Sequence, residues 1–318
     1  MIGLLRPLAG PKGDSAMRVF VTGASGWIGS ATVDELLASG HEVTGLARSA
    51  ASAAALQAKG AHVRRGDLDD LASIRAGAQE AEAVIHLANK HDWSNPAASS
   101  SAERAAIQAI GDALAGTGHP FLFASGIAGL TRGKPASEDD PSPFHGPDSP
   151  RGGSENLALG FADRGVHPVS LRFAPTVHGT GDHGFIAMIA AVAREKGVSG
   201  YPAGGTSRWA AVHRSDAGRL VALGVQKAPA SARLHAVAEE GIPVRDIAEA
   251  IGNALGLPVA SIAAEDVQGH FGFIGTFFSM DMAATSTVTR ELLGWAPAGP
   301  TLIEDIGAGA YSAVPPAR

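Results

Sequence analysis

The residues best equipped for chemistry stand near the start of the regular pattern. Val19-Phe20-Val21-Thr22 leads into Gly23, Ala24, Ser25, Gly26, Trp27, Ile28 and Gly29, which sets three glycines at GxxGxxG spacing between an apolar run and an amphipathic one. In that setting Gly23 permits a tight turn, Gly26 lets backbone approach a diphosphate where a Cβ would collide, and Gly29 allows helix to pack closely on sheet. The phosphates would then meet unpaired N–H groups and the positive dipole end of the helix. The same spacing also serves a plain turn; its place at the first strand of a βαβ series is what favours a dinucleotide. The second apolar run closes on Leu46-Ala47, without the acid that would hold a ribose 2′-hydroxyl, and Arg48-Ser49 follows. A guanidinium there suits a 2′-phosphate, so NADP(H) is the expected cofactor, with an ordinary solvated arginine as the alternative.

These groups need a scaffold, and the chain supplies one from Met17 onward. Short β-rich runs alternate with Ala/Leu-rich stretches: strand 18–22, helix 27–39, strand 41–46, helix 51–59, strand 62–64, helix 71–77, strand 83–87, helix 101–116, strand 121–124, a helix after Gly153, and strand 169–172. This rhythm predicts an α/β fold, a doubly wound parallel sheet of the Rossmann kind covered on both faces. Residues 131–151, rich in Pro, Gly and acid, predict a long loop over the carboxyl ends of the strands, where ligands bind. Beyond Arg172 the rhythm loosens. Helices at 185–196, 215–226, 244–255 and 282–293 and strands at 234–238 and 259–263 suggest a smaller substrate lobe interleaved with the last elements of the sheet. The expected division is a disordered extension at 1–16, a dinucleotide-binding core at 17–180, and the lobe with the last core elements at 181–318.

Composition removes several classes. With 45% hydrophobic and 18% charged residues the chain reads as a compact globule, not a disordered one. A formal charge of −6, from 31 acidic and 25 basic residues, leaves no excess to grip nucleic acid or an anionic membrane. No apolar run approaches the ~18 residues of a spanning helix, and the first sixteen residues lack the basic start and apolar stretch of a signal peptide. Absence of cysteine excludes disulfide scaffolds, thiolate nucleophiles and Cys-based zinc sites, and agrees with a reducing cytoplasm.

TGASGWIG, the Gly66-Asp67-Leu68 turn, Val84-Ile-His-Leu-Ala-Asn89, Ser125 after the fifth strand and Arg172-Phe-Ala-Pro-Thr-Val-His-Gly179 together resemble the extended or atypical short-chain dehydrogenase/reductase superfamily, close to its epimerase/dehydratase-like branch. The likeness runs from about Met17 to Ile306. It implies that Asp67 and Leu68 sit at the adenine, that Leu87 and Ala88, with Asn89 beside them, line the ribose side, and that Ser125 polarises a substrate carbonyl next to the nicotinamide. It also implies that Pro175 and Val177 hold the carboxamide. For Asp67 alone, a helix N-cap is an equal reading. Ser125 lacks the preceding glycine of a nucleophile elbow and is better placed as a hydrogen-bond donor, or as a simple cap at the strand end.

The chain departs from that family where proton transfer is done. Its reductases usually carry Tyr-x-x-x-Lys, because a phenol with a pKa near ~10 needs a neighbouring ammonium to exchange protons at neutral pH. Here only Tyr201 and Tyr311 exist, followed four positions later by Gly205 and Pro315. Aligning the helix by its apolar positions puts Arg151 in the tyrosine place and Glu155 in the lysine place. The two could form an i,i+4 ion pair worth only ~0.2–0.5 kcal/mol, or Arg151 could stabilise a developing alkoxide without moving a proton. His145, on the loop just before, is then the candidate acid, with His178 and His183 as comparable alternatives. A metal site built from these with Asp182 is not expected, since Gly-rich spacing presets no coordination. Trp93, Tyr201, Trp209 and Phe277 are scarce aromatics that line either an apolar pocket or the core.

The expected activity is therefore NADPH-dependent reduction of a carbonyl, or less favourably an imine, in a small, partly apolar substrate, carried by Ser125, Arg151, Glu155 and His145. A non-catalytic NADP-binding sensor and a sugar-nucleotide epimerase or dehydratase are the rivals, and a homodimer is one candidate assembly.

Overall fold

In the computed structural model, which describes residues 16–131 and 133–312, the predicted alternation resolves into β1 (Arg18–Thr22), α1 (Trp27–Ala38), β2 (Glu42–Ala47), α2 (Ala50–Ala58), β3 (His62–Arg65), α3 (Leu71–Glu80), β4 (Ala83–His86), α4 (Pro96–Leu114), β5 (Pro120–Gly126), α5 (Ser154–Leu159) and β6 (His167–Phe173). The extension expected at 1–16 lies, apart from Ala16, outside the described residues. The chain continues through β7 (Thr176–His178), α6 (Phe185–Lys196), β8 (Ser199–Pro202), β9 (Arg208–His213), α7 (Arg214–Lys227), β10 (Arg233–Ala236), β11 (Glu239–Pro243) and α8 (Val244–Leu255). It ends with β12 (Val259–Ile262), α9 (Val267–Phe271), α10 (Ile274–Phe278), α11 (Thr287–Leu293) and α12 (Leu302–Gly307).

Seven strands form one parallel sheet in the order β10-β6-β5-β4-β1-β2-β3. The apolar runs of β1 and β4 are buried on both faces and occupy the centre, whereas His62-Val63-Arg64-Arg65 in β3 is partly exposed and takes the edge. The order reverses between β1 and β4, which opens a crevice at their carboxyl ends. This is the doubly wound Rossmann sheet the pattern predicts.

Two later elements return to the core. β10 pairs with β6 as the seventh strand, and α7 lies along α1 so closely that a Cβ on Gly218 would stand 2.8 Å from the Ala31 backbone. The remaining pieces surround a separate apolar cluster that includes Ile189, Trp209, Val244, Phe278 and Leu302. There β9 pairs antiparallel with β11 and parallel with β7, and β12 pairs with β8.

Local differences have local causes. α4 starts at Pro96, not 101, because the Asn95 side chain accepts the Ala98 N–H and proline is tolerated at the first helical position. The helix expected from 282 begins only at Thr287, since Met282 and Ala284 are extended and bridge to Trp209 and Ala136. In the loop expected at 131–151, the described residues as far as 149 hold no helix or strand beyond the Ala136 bridge, and the last two, Pro150 and Arg151, open a short 3₁₀ turn at Pro150–Gly153. No described helix is long and apolar enough to cross a membrane.

Candidate active site

α1 begins differently from its neighbours. Ser49, Asp70 and Asn95 cap α2, α3 and α4 with side-chain oxygens, but Gly26 caps α1 with none, which leaves its first N–H groups facing the crevice side of the turn. Gly23 has φ +70°, and a Cβ there would stand 2.7 Å from the Ala88 nitrogen, so β1 and β4 approach backbone to backbone. A Cβ on Gly29 would lie 2.1 Å from the Gly23 carbonyl oxygen. The loop is thus folded onto itself, with Ser25 and Gly26 exposed and Trp27 and Ile28 half-buried at the start of α1. Trp27 is locked: its indole N–H donates to the Val177 carbonyl at 2.6 Å, and the Arg214 guanidinium stacks on its ring at 4.4 Å while donating to its carbonyl at 2.6 Å.

At the far end of β2, Arg48 is exposed and has no hydrogen-bond or ion-pair partner among the described residues. Ser49 accepts the Ser52 N–H at 3.0 Å, and the Ser49 carbonyl receives Nη1 of Arg65 at 2.6 Å. Arg65 is paired in register with Ala47, so two guanidinium groups share this corner. Sequence reading named Arg48 for this corner and did not name Arg65. Asp67 does not cap α3, a task done by Asp70; its Oδ1 instead accepts the Asp69 and Asp70 N–H groups in a tight turn. Leu68 and Leu87 are half-buried against the core, and Ala88 N–H points to the Thr22 hydroxyl at 3.4 Å. Asn89 turns inward: its amide donates to Glu103 at 3.0 Å and its oxygen accepts the His91 N–H. Pro175 and Val177 are half-buried where β6 gives way to β7.

Arg151 and Glu155 do not pair with each other. Arg151, Gly152 and Gly153 have φ of 52°, 60° and 60°, a left-handed turn that precedes α5 and takes Arg151 off the helix. The two glycines are required, because a Cβ at Gly152 would meet Arg104 at 2.7 Å and one at Gly153 the Gly146 nitrogen at 2.8 Å. A non-glycine residue in this region costs ~1–2 kcal/mol. Arg151 is held there by Glu103, a carboxylate 2% exposed, to which its Nη2 and Nε donate, and by the Ala124 carbonyl at 3.1 Å. Glu103 was missed, although it lies on the stripe Glu103, Ile107, Ile110, Leu114 that α4 turns to the core.

Glu155 faces β5 and β6. Ser125 donates its hydroxyl to Oε2 at 2.6 Å, and Arg172 donates Nη2 and Nε to Oε1 at 2.6 and 3.0 Å. Ser125 and Arg172 are register partners, and His235 on β10 is the partner of Arg172 on the other side. His235 gives Nδ1–H to the Thr285 carbonyl at 2.8 Å and presents Nε2 to Arg172 at 3.3 Å. Burial lowers its pKa, in accord with that neutral form. A row of Ser125, Glu155, Arg172 and His235 therefore crosses three strands.

The other histidines have separate environments. His145 is exposed, with Nε2 3.4 Å from the Asn156 amide. His178 is buried and donates Nδ1–H to Asp305 at 2.6 Å, His183 sits edge-on to Trp27, and Asp182 accepts from Gly184 and from Tyr311. His86, unremarked as a functional group in the sequence, ends β4 fully buried on Thr22; burial and then the Arg151 charge hold its pKa down to about 4. Its Nε2 has no partner. Neither tyrosine approaches the proton-transfer place: Tyr311 is bound to Asp182 and its pKa is pushed upward by burial, and Tyr201 lies under Arg245. A lobe cavity of about 390 Å³, lined by Pro202, Gly205, Val267 and Thr276 among others, has no ionisable lining residue and so offers no acid–base chemistry.

The chain is 44% identical over 296 residues to the uncharacterized protein C2A9.02 of Schizosaccharomyces pombe, covering 93% of this chain and 100% of that protein. It is 42% identical over 298 residues to the uncharacterized protein YLL056C of Saccharomyces cerevisiae, covering 92% and 98%. The crystal structure of DesIV, a dTDP-glucose 4,6-dehydratase from Streptomyces venezuelae with NAD and TYD bound, superposes with a TM-score of 0.72 at 19% identity, covering 92% of this chain and 96% of that one, a likeness of fold. The model of the NAD dependent epimerase/dehydratase family matches residues 19–235. With a family match over two thirds of its length, the chain belongs to the NAD dependent epimerase/dehydratase family.

Proposed function

We propose that the protein is an NADPH-dependent oxidoreductase that reduces the carbonyl of a small, partly apolar substrate. The observation that carries this reading is the cluster of Ser125, Glu155 and Arg172 at the carboxyl ends of β5 and β6, on the edge of the sheet where the uncapped α1 turn opens. The cofactor is argued from the fit of the turn to a diphosphate and of Arg48 with Arg65 to a 2′-phosphate. Bound NADPH supplies the hydride.

The protein's own groups handle the oxygen and its proton. Ser125 turns its hydroxyl from Glu155 to the carbonyl oxygen, and the Arg151 guanidinium, fixed on the carbonyl of the preceding residue, adds positive field as charge grows there. The proton that completes the alcohol leaves Ser125 and is replaced from solvent by way of Glu155. Glu155 stands where related reductases carry an ammonium, and Arg172 fixes its position by donating to Oε1. Of the expected set Ser125, Arg151, Glu155 and His145, this reading keeps the first three and leaves out His145, which is exposed beside Asn156.

An epimerase or dehydratase reading draws on the family name. Against it stands the environment of the two tyrosines, neither of which is free to begin an oxidation. The deciding experiment follows NADPH oxidation with a panel of aldehydes and ketones. Turnover is expected; cofactor binding without turnover across the panel would instead indicate a non-catalytic NADP-binding protein.

A further inference from the structure

An apolar ring cluster spans the junction between the sheet and the lobe. Trp93, in the loop that leaves the carboxyl end of β4, stacks on Phe273 with centroids 5.6 Å apart and an interplanar angle of 28°, and meets Phe277 and Phe185 at 5.7 and 6.0 Å. Trp93 is 48% exposed and Phe273 38%, the largest aromatic surfaces left open among the described residues. The loop that carries Trp93 is tied to the candidate site: Asn89 accepts the His91 N–H and donates to Glu103, which also holds Arg151, and Arg151 donates to the Ala124 carbonyl next to Ser125. His91, packed on Trp93 at 6.3 Å, has its pKa lowered by desolvation and then by the charges of Arg151 and His183, and His183 lies against Trp27 of the glycine turn.

Two arginines of the lobe are already matched. In the lobe Arg208 is matched by Asp281 and Arg245 by Glu249, so these guanidinium groups have no call for an anionic ligand. A nucleoside-diphosphate substituent would be left without counter-charges on this side, whereas a flat apolar group would cover rings that now face water.

Resting on the oxidoreductase reading above, we propose that the substrate is an uncharged aryl carbonyl compound whose ring packs on Trp93 and Phe273 while its carbonyl reaches Ser125. Aromatic stacking at such a site discriminates by shape and contributes mainly to binding.

The test compares benzaldehyde with propanal as substrates with NADPH, and titrates benzamide, which is not reduced, into the NADP⁺-loaded protein by calorimetry. The expected result is at least tenfold higher kcat/KM for benzaldehyde, a fall of about tenfold in that ratio in Trp93→Ala, and a parallel loss of benzamide affinity. Trp93→Leu, which keeps apolar contact with Phe273 but has no ring, guards against a folding defect and should give the same change. An unchanged ratio, an equal loss for both aldehydes, or benzamide binding unaffected by either variant overturns the proposal. If neither aldehyde is reduced, the oxidoreductase reading fails by itself and the benzamide titration still decides the ring site.

Discussion

Ser125 on β5 and Arg172 on β6 face each other in register, and both reach the same carboxylate, Glu155, from opposite oxygens. That carboxylate and the guanidinium are almost wholly buried, at 5% and 0% side-chain exposure. Two charges taken so far from water bring little net stability, but each is costly without the other.

Glu155→Gln therefore isolates Arg172. The variant should lose about 3–5 kcal/mol of stability in urea unfolding, whereas Glu155→Leu combined with Arg172→Leu should lose much less. An unchanged midpoint for Glu155→Gln would mean that Arg172 finds another partner and that the row across the sheet is not structural.

The proposed 2′-phosphate site rests on Arg48 and Arg65. Arg48→Asp should weaken NADPH binding by tenfold or more, about 1.4 kcal/mol, and NADH binding by much less, as read by fluorescence titration. Arg65→Ala should act in the same direction with a smaller effect, because that side chain also anchors the Ser49 carbonyl. Equal losses for the two coenzymes would remove the 2′-phosphate from this corner.

Gly29 and Gly26 separate folding from binding. A Cβ at Gly29 would fall 2.1 Å from a backbone oxygen, and one at Gly26 3.1 Å from the same atom. Gly29→Ala should lower stability by about 1–3 kcal/mol or more, seen as a drop in Tm. Gly26→Ala should keep Tm near the parent and lose coenzyme affinity; the reverse pattern would contradict a phosphate cradle at Gly26.

His86 makes stability depend on acidity. Its pKa is about 4 in the folded protein against 6.5 for the free side chain, so the unfolded chain binds the extra proton first as pH falls. The contribution is complete above about pH 6.5 and is lost as pH drops toward 4, amounting to about 3 kcal/mol. His91, His213 and His235 are shifted the same way and should steepen the loss. His86→Asn should flatten the urea midpoint between pH 6.5 and 4; a slope equal to the parent's would place the acid sensitivity elsewhere.

Most of the sheet was legible because its strands are buried runs between strong punctuation. α6 and α8 match their predicted bounds, each closed by a glycine, Gly197 and Gly256, in the left-handed region. β7 and β8, with three and four residues, are too short to show a period. In the site, residue types were readable and partners were not. Arg151 and Glu155 look like a pair at helical spacing, and what separates them is the left-handed turn written as Gly152-Gly153, whose meaning depends on contacts with Arg104 and Gly146. Glu103 on an apolar stripe and Arg172 inside an apolar strand were the available signs that buried charges needed each a distant mate.

The return of β10 and α7 to the sheet has a consequence for biosynthesis. A nascent chain that has emerged through residue 180 holds six of the seven main strands, yet the outer edge of β6 and the flank of α1 stay bare until residues 214–236 arrive. Half a protein cut at that point would expose an unpaired strand and the seam where Gly218 nests on Ala31. The segments before and after residue 180 therefore complete one sheet between them, and a single cut there would leave both with bare surfaces.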